Sequence, residues 1–191
     1  MNIFIENVKK KINLNQSEEK FLNEIIEEKI YLKNDFFIQP GQVCSMIGYI
    51  EYGTFRIFNI NTKGIEMTNW LSTDNDIITE ILSFINEQPS QEYIQCLENT
   101  KVQFISFINL QEIYKRIPNF HIFIKLVYEE ILVDLKKNIF SNIHMTTIER
   151  YKTFSSSKTS LLNKVPLKYI ASFLGMTDST LSRVRKKIYS K

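Results

Sequence analysis

The sequence predicts an α+β protein: an N-terminal antiparallel β-roll, one long helix suited to dimerisation, and an all-helical C-terminal domain built around a helix-turn-helix. Three observations point there. Short β-branched and aromatic runs, broken by turn residues, fill much of the first 107 positions. Sustained helical periodicity follows Pro118, and a helix–glycine–helix pattern lies in a basic last quarter. The expected divisions are 1–118, 119–140 and 141–191. With 43% hydrophobic and 13% aromatic residues among 191, the chain can bury a substantial core.

In the roll, Asn15–Lys29 has Phe21, Leu22, Ile25 and Ile26 on one helical face, and Asn15 or Ser17 can cap its start. Strands are expected at Lys29–Lys33, Phe36–Ile38, Val43–Glu51, Thr54–Ile60 and Ile65–Leu71. The breaks between them are Gln39-Pro40-Gly41, Tyr52-Gly53 and Asn61-Thr62-Lys63-Gly64. Two more strands, Tyr93–Glu98 and Lys101–Phe107, flank Asn99-Thr100. Trp70 falls on a strand and reads as core.

Pro118 opens a helix from Asn119 to about Ile139. Phe120, Ile124, Val127, Ile131, Leu135 and Ile139 form one apolar stripe, and Ile122, Phe123, Leu126, Leu132 and Val133 add apolar surface around it. Such a helix is either the core of one domain or packs on the roll with one face and on a second copy with another. The stripe through Leu135 is the candidate dimer interface. Thr153–Lys158, with three consecutive serines, reads as a short linker.

Charge divides unevenly. Residues 1–135 hold 12 Lys/Arg against 19 Asp/Glu, whereas residues 136–191 hold 12 Lys/Arg and only two acids, Glu149 and Asp178. A tail this cationic attracts polyanions, and an acidic body turns its other faces away from them. Within the tail, Pro166 suits a first helical turn, and Leu167, Ile170, Ala171 and Leu174 share a face. Gly175 fits a left-handed helix end, Met176 can seal the corner, and Thr177 or Asp178 can cap a second helix that buries Leu181, Val184 and Ile188. The free side would present Thr177, Asp178, Ser179, Ser182, Arg183 and Lys186, with Arg185 and Lys187 at its flanks. This is the arrangement by which a helix-turn-helix meets double-stranded DNA: polar residues toward base edges, cations toward phosphates or guanine. A carboxylate at Asp178 repels phosphate unless it accepts from cytosine, which would suit a dimeric adaptor that never reads DNA.

Other classes lack their residues. Positions 29–107 contain no histidine, so a metal enzyme on a β-roll has no ligand set, and no nucleophile–base or phosphate-loop pattern replaces it. No metal site is expected: Cys44 and Cys96 are too few for an iron–sulfur cluster, and His121 and His144 lie outside the roll. Both cysteines sit in apolar strand contexts where buried inert thiols are expected. Without a secretory pattern or an apolar run near the roughly 20 residues that span a bilayer, a cytoplasmic location without membrane contact is expected.

The chain resembles Crp/Fnr-type regulators over nearly its whole length, most specifically in Ile170-Ala-Ser-Phe-Leu-Gly-Met-Thr-Asp-Ser-Thr-Leu-Ser-Arg183. Gln39-Pro-Gly-Gln and Tyr52-Gly-Thr look like the family's roll turns, and Thr146–Ser155 like the first helix of its DNA-binding domain. The resemblance implies a cyclic-nucleotide-binding-like roll, a homodimer, double-stranded DNA as partner, and RNA polymerase as a further candidate partner. Asp178-Ser179 departs from the Arg-Glu that many relatives place there, while Ser182-Arg183 matches one branch. The family's nucleotide cassette corresponds to the segment with Thr79 and Glu80, then Ser90 and Gln91. Glu80 matches the ribose-binding glutamate, but Thr79 replaces a glycine and Ser90 the phosphate-binding arginine. That removes the charge-assisted grip on a cyclic phosphate, so no cyclic-nucleotide cofactor is expected. The alternative is a regulator responsive to a cyclic nucleotide or another small molecule through Glu80 in the roll.

Overall fold

Asn2 opens the fold by capping a helix that the sequence does not announce: its side chain accepts from the Ile5 amide at the start of α1, Ile3–Lys9. The structure is a computed structural model describing residues 2–189. Phe4, Ile5 and Val8 of α1 are fully buried. The periodicity of such a short helix is indistinguishable from a mixed apolar–polar run, and only the sheet beneath supplies its reason to form.

The second helix, α2, covers Gln16–Ile25, with Asn15 and Glu18 forming a capping box. It stops four residues short of the expected end. Residues 26–29 leave the helix because β1, Glu27–Tyr31, pairs with β8, Thr100–Ser106, from Glu27 onward. The remaining strands are β2 Phe36–Ile38, β3 Met46–Tyr52, β4 Phe55–Ile60, β5 Glu66–Ser72, β6 Ile77–Ile78 and β7 Tyr93–Cys96. They form two antiparallel four-stranded sheets, ordered β1-β8-β3-β6 and β2-β7-β4-β5. Across them Tyr31 meets the rings of Phe37 and Phe55 at 5.8 Å. Two further helices, α3 Ile81–Asn86 and α4 Phe107–Arg116, join the roll.

The long helix α5 runs Phe120–His144, without a break at 140. Its first half belongs to the roll: Phe120, Phe123, Ile124 and Val127 are buried in the core with α1 and α4. This corrects the expected dimer interface. Phe120, Ile124 and Val127 are already enclosed by their own chain, Ile131 is half-buried, and only Leu135 of that set is exposed. Leu132, Leu135, Ile139 and Ile143 instead line a solvent-facing stripe at helical spacing.

The C-terminal domain comprises α6 Thr147–Ser157, α7 Thr159–Lys164, α8 Leu167–Phe173 and α9 Asp178–Tyr189. Thr153–Ser157 is helical rather than a linker. The hydroxyls of Ser155, Ser156 and Ser157 donate to the carbonyls of Lys152, Thr153 and Thr153, folding serine polarity back onto the helix.

Gly53, between β3 and β4, has φ +118°, and a Cβ there would lie 2.7 Å from the Thr100 Cα. Gly64 has φ +75° with nothing within 4 Å of the same position. Urea unfolding should therefore show Gly53→Ala losing about 3 kcal/mol or more, from strain plus backbone collision, and Gly64→Ala only about 1 kcal/mol from strain. Equal losses would contradict the close approach.

Candidate nucleic-acid interface and roll cavity

The turn between α8 and α9 is closed by backbone geometry. Gly175 sits at φ +63°; its amide donates to the Ser172 carbonyl at 3.0 Å, and the Met176 amide donates to the Ala171 carbonyl at 3.0 Å. This crossed pair is a Schellman ending. Thr177 then starts the next helix, its Oγ1 accepting from the Thr180 amide at 3.2 Å. Leu181 and Val184 are buried against α6 and α8, with Tyr151, Phe154, Ile170 and Ala171 in the same cluster.

The opposite side of α9 is open. Thr177, Asp178, Ser179, Ser182, Arg183, Lys186 and Lys187 are exposed. Thr177 is committed to its cap, and Asp178 sits in the first turn, where a carboxylate complements the helix dipole. That local role accounts for the acid without calling on a protein partner. Arg185 departs from the expected flank: it is half-buried against the Tyr151 phenol, and its Nε has no partner among the described residues.

This domain is seated on the roll. α8 covers the free edge of β5, where the Thr68 amide donates to Ser172 Oγ at 2.9 Å and that hydroxyl donates to the Glu66 carbonyl. Arg56 of β4 is only 1% exposed, and its guanidinium lies 4.0 Å from the Phe58 ring and 3.8 Å from the Tyr169 ring of α8. Arg56 also donates to Thr68 Oγ1 at 2.8 Å and pairs with Glu66 at 2.6 Å. Farther along, Lys164 reaches both oxygens of Asp74 at 3.0 Å and Glu98 at 3.3 Å. Burial alone would raise the Asp74 carboxyl, but the Lys164 ammonium and the Gly53 amide hold it below its ordinary value. The sequence offers no signal for Arg56: an arginine on a strand looks solvent-facing until α8 covers it.

Inside the roll, a cavity of about 340 Å³ lies between β4, β5, α3 and α5. Thr79 and Glu80 line it, with Ile57, Trp70, Ile131 and Leu135. Ser90 and Gln91 do not. The Ser90 hydroxyl closes a local turn with the Glu92 backbone, and Gln91 faces solvent. The Glu80 carboxylate caps α3, accepting from the Leu82 and Ser83 amides at 3.1 and 2.9 Å, and Thr79 donates to the Met46 carbonyl. The lining polar residues missed in the sequence are Asn69 and Ser72. Asn69 donates to Glu92 at 2.5 Å, and burial raises the Glu92 carboxyl above its ordinary value. No lysine or arginine is among the lining residues. Both thiols are buried, and burial pushes Cys96 up to about 12. No described helix is long and apolar enough to cross a membrane.

A two-sheet roll, a long helix and a helix-turn-helix together define the architecture of the Crp/Fnr regulators, and this chain has that fold. FixK2 from Bradyrhizobium japonicum matches at TM-score 0.74 and 13% identity, over 87% of this chain and 85% of its own. A protein assigned to the Crp/Fnr family from Eubacterium rectale matches at 0.70 and 17%, over 92% and 84%. CLP, the c-di-GMP-responsive global regulator of Xanthomonas campestris, matches at 0.68 and 14%, over 92% of each chain. No family model and no curated protein sequence matches.

Removing Arg56 as Arg56→Ala should cost about 2–3 kcal/mol in urea unfolding, from the lost cation–π contacts and charge-assisted bonds. It should also raise amide exchange across α8. An unchanged exchange pattern would show that Arg56 does not hold the seam. Because the folded Asp74 pKa is depressed, its contribution is present above the ordinary carboxylate value and lost as pH falls through the folded one. The melting-temperature advantage of the wild type over Asp74→Asn should therefore be full at neutral pH and vanish in strong acid.

Proposed function

We propose that this chain is a DNA-binding transcriptional regulator of the Crp/Fnr type that acts as a homodimer. The observation that carries the reading is α9: Leu181 and Val184 anchor it, while Ser182, Arg183, Lys186 and Lys187 stand free on the opposite face. Cations there suit phosphate contact, and Arg183 beside Ser182 suits a guanine edge. A DNA partner goes with action in the cytoplasm. The dimer contact we assign is the exposed stripe Leu132–Leu135–Ile139–Ile143, because an uncovered apolar strip of this length favours burial against a copy of itself. Two-fold pairing sets half-sites about 34–36 Å apart. The roll is inferred not to answer to cyclic AMP. In support, its cavity is lined by Glu80 and Glu92 without a lysine or arginine, and the Ser90 hydroxyl is engaged with the Glu92 backbone.

Fluorescence anisotropy against genomic fragments tests the DNA reading. Affinity should fall steeply with salt as counterions are released. Arg183→Ala should weaken binding about ten- to a hundredfold without changing the melting temperature. Salt-independent or undetectable binding, or full affinity in the variant, would overturn the assignment. Ile139→Glu should give monomers in analytical ultracentrifugation; a dimer that survives it is held elsewhere.

A further inference from the structure

A second cavity, of about 500 Å³, opens where the helical domain meets β5 and the distal half of α5. Trp70 and Leu71 of β5 form its apolar wall with Phe154 of α6 and Phe173 of α8. Its charge is of the opposite kind to that of the roll cavity. Lys136, Arg150 and Lys158 line it; none of them forms a salt bridge among the described residues, although the Lys158 charge acts on the half-buried Asp76 carboxyl. The acid lining it, Asp134, is paired with Lys137 at 3.2 Å. Arg150 donates through one Nη to the Asn142 carbonyl, but its Nε is buried without a partner. The Lys158 ammonium stands 6.0 Å from the Trp70 ring centroid.

A buried guanidinium N–H without an acceptor is costly, and an apolar wall is poorly served by water. The cations and the apolar wall together select one kind of occupant: a planar anion for the Arg150 guanidinium and Lys158, on an apolar body for the aromatic wall. The volume falls in the range of small-molecule sites. We propose that this inter-domain cavity binds an anionic amphipathic small molecule, a carboxylate carried on an apolar body. Its walls come from the roll, α5 and the helical domain, so the occupant touches every part of the chain that sets where α9 points. The binding step does not depend on the DNA reading.

Sodium decanoate, used below its micellar concentration on the full-length chain, is the probe. Trp70 is the only tryptophan and reports from the wall. Titration should change its fluorescence saturably, with one site per chain by calorimetry. 1-Decanol and decyltrimethylammonium should bind at least about tenfold more weakly. Arg150→Gln and Lys158→Gln should each weaken decanoate about ten- to a hundredfold, the loss expected for a charge-assisted bond, with unchanged circular dichroism and melting. Trp70 also borders the roll cavity, so Leu82→Glu, which alters that cavity's lining, should leave decanoate binding intact. No saturable site, equal binding of the neutral or cationic probe, full affinity in both cavity variants, or loss in Leu82→Glu would each overturn the proposal. Anisotropy with DNA, run on the same samples, separates failure of this site from failure of the DNA reading.

Discussion

The seam between α8 and the free edge of β5 sets how the two ends of this chain relate. An uncovered edge strand exposes unpaired backbone groups, and here a helix carrying Ser172 answers the Thr68 amide directly. Arg56, enclosed between Phe58 and Tyr169, adds a charge that could not remain buried if the helix moved away. Because α8 is held on the roll, α9, crossing it through Leu181 and Val184, is held as well. The open face of α9 and the cavity behind it both follow from that contact.

The long helix meets a second constraint. Its apolar surface is broader than one partner can cover, and the structure divides it along its length. The first half fills the roll with Phe120, Phe123, Ile124 and Val127, and the second projects Leu132, Leu135, Ile139 and Ile143 into solvent. One continuous stripe in the sequence therefore serves two unlike purposes. The two cavities both border this helix and differ in character, with Glu80 and Glu92 lining one and Lys136, Arg150 and Lys158 the other. Trp70 borders both, so β5 links the roll cavity to α8, which the inter-domain cavity touches directly through Phe173.

Residues whose role is local are legible in the sequence. The strands from Phe36 to Leu71, the Gly175 turn, a cap at Thr177 or Asp178 and the buried face of α9 follow from φ preference, hydrogen-bonding side chains and periodicity, all contained in a short window. Elements whose reason lies elsewhere in the chain are not. α1 and α4 are short helices stabilised by the sheets they cover, and β6 is a two-residue strand defined by its pairing with β3. Ser155–Ser157 looked like a linker because serine composition does not reveal whether its hydroxyls turn to water or back to the helix.

By itself, then, the sequence determined the order of roll, helix and basic helix-turn-helix, along with the buried face of α9 and most of its open face, Arg185 excepted, because periodicity and capping are properties of neighbours along the chain. Tertiary structure alone decided which half of α5 is free, that Glu80 caps a helix while Ser90 closes a local turn, and that Arg56 joins the two domains. Those outcomes depend on which surfaces meet across distant segments. An apolar or charged side chain carries no mark of its eventual neighbour.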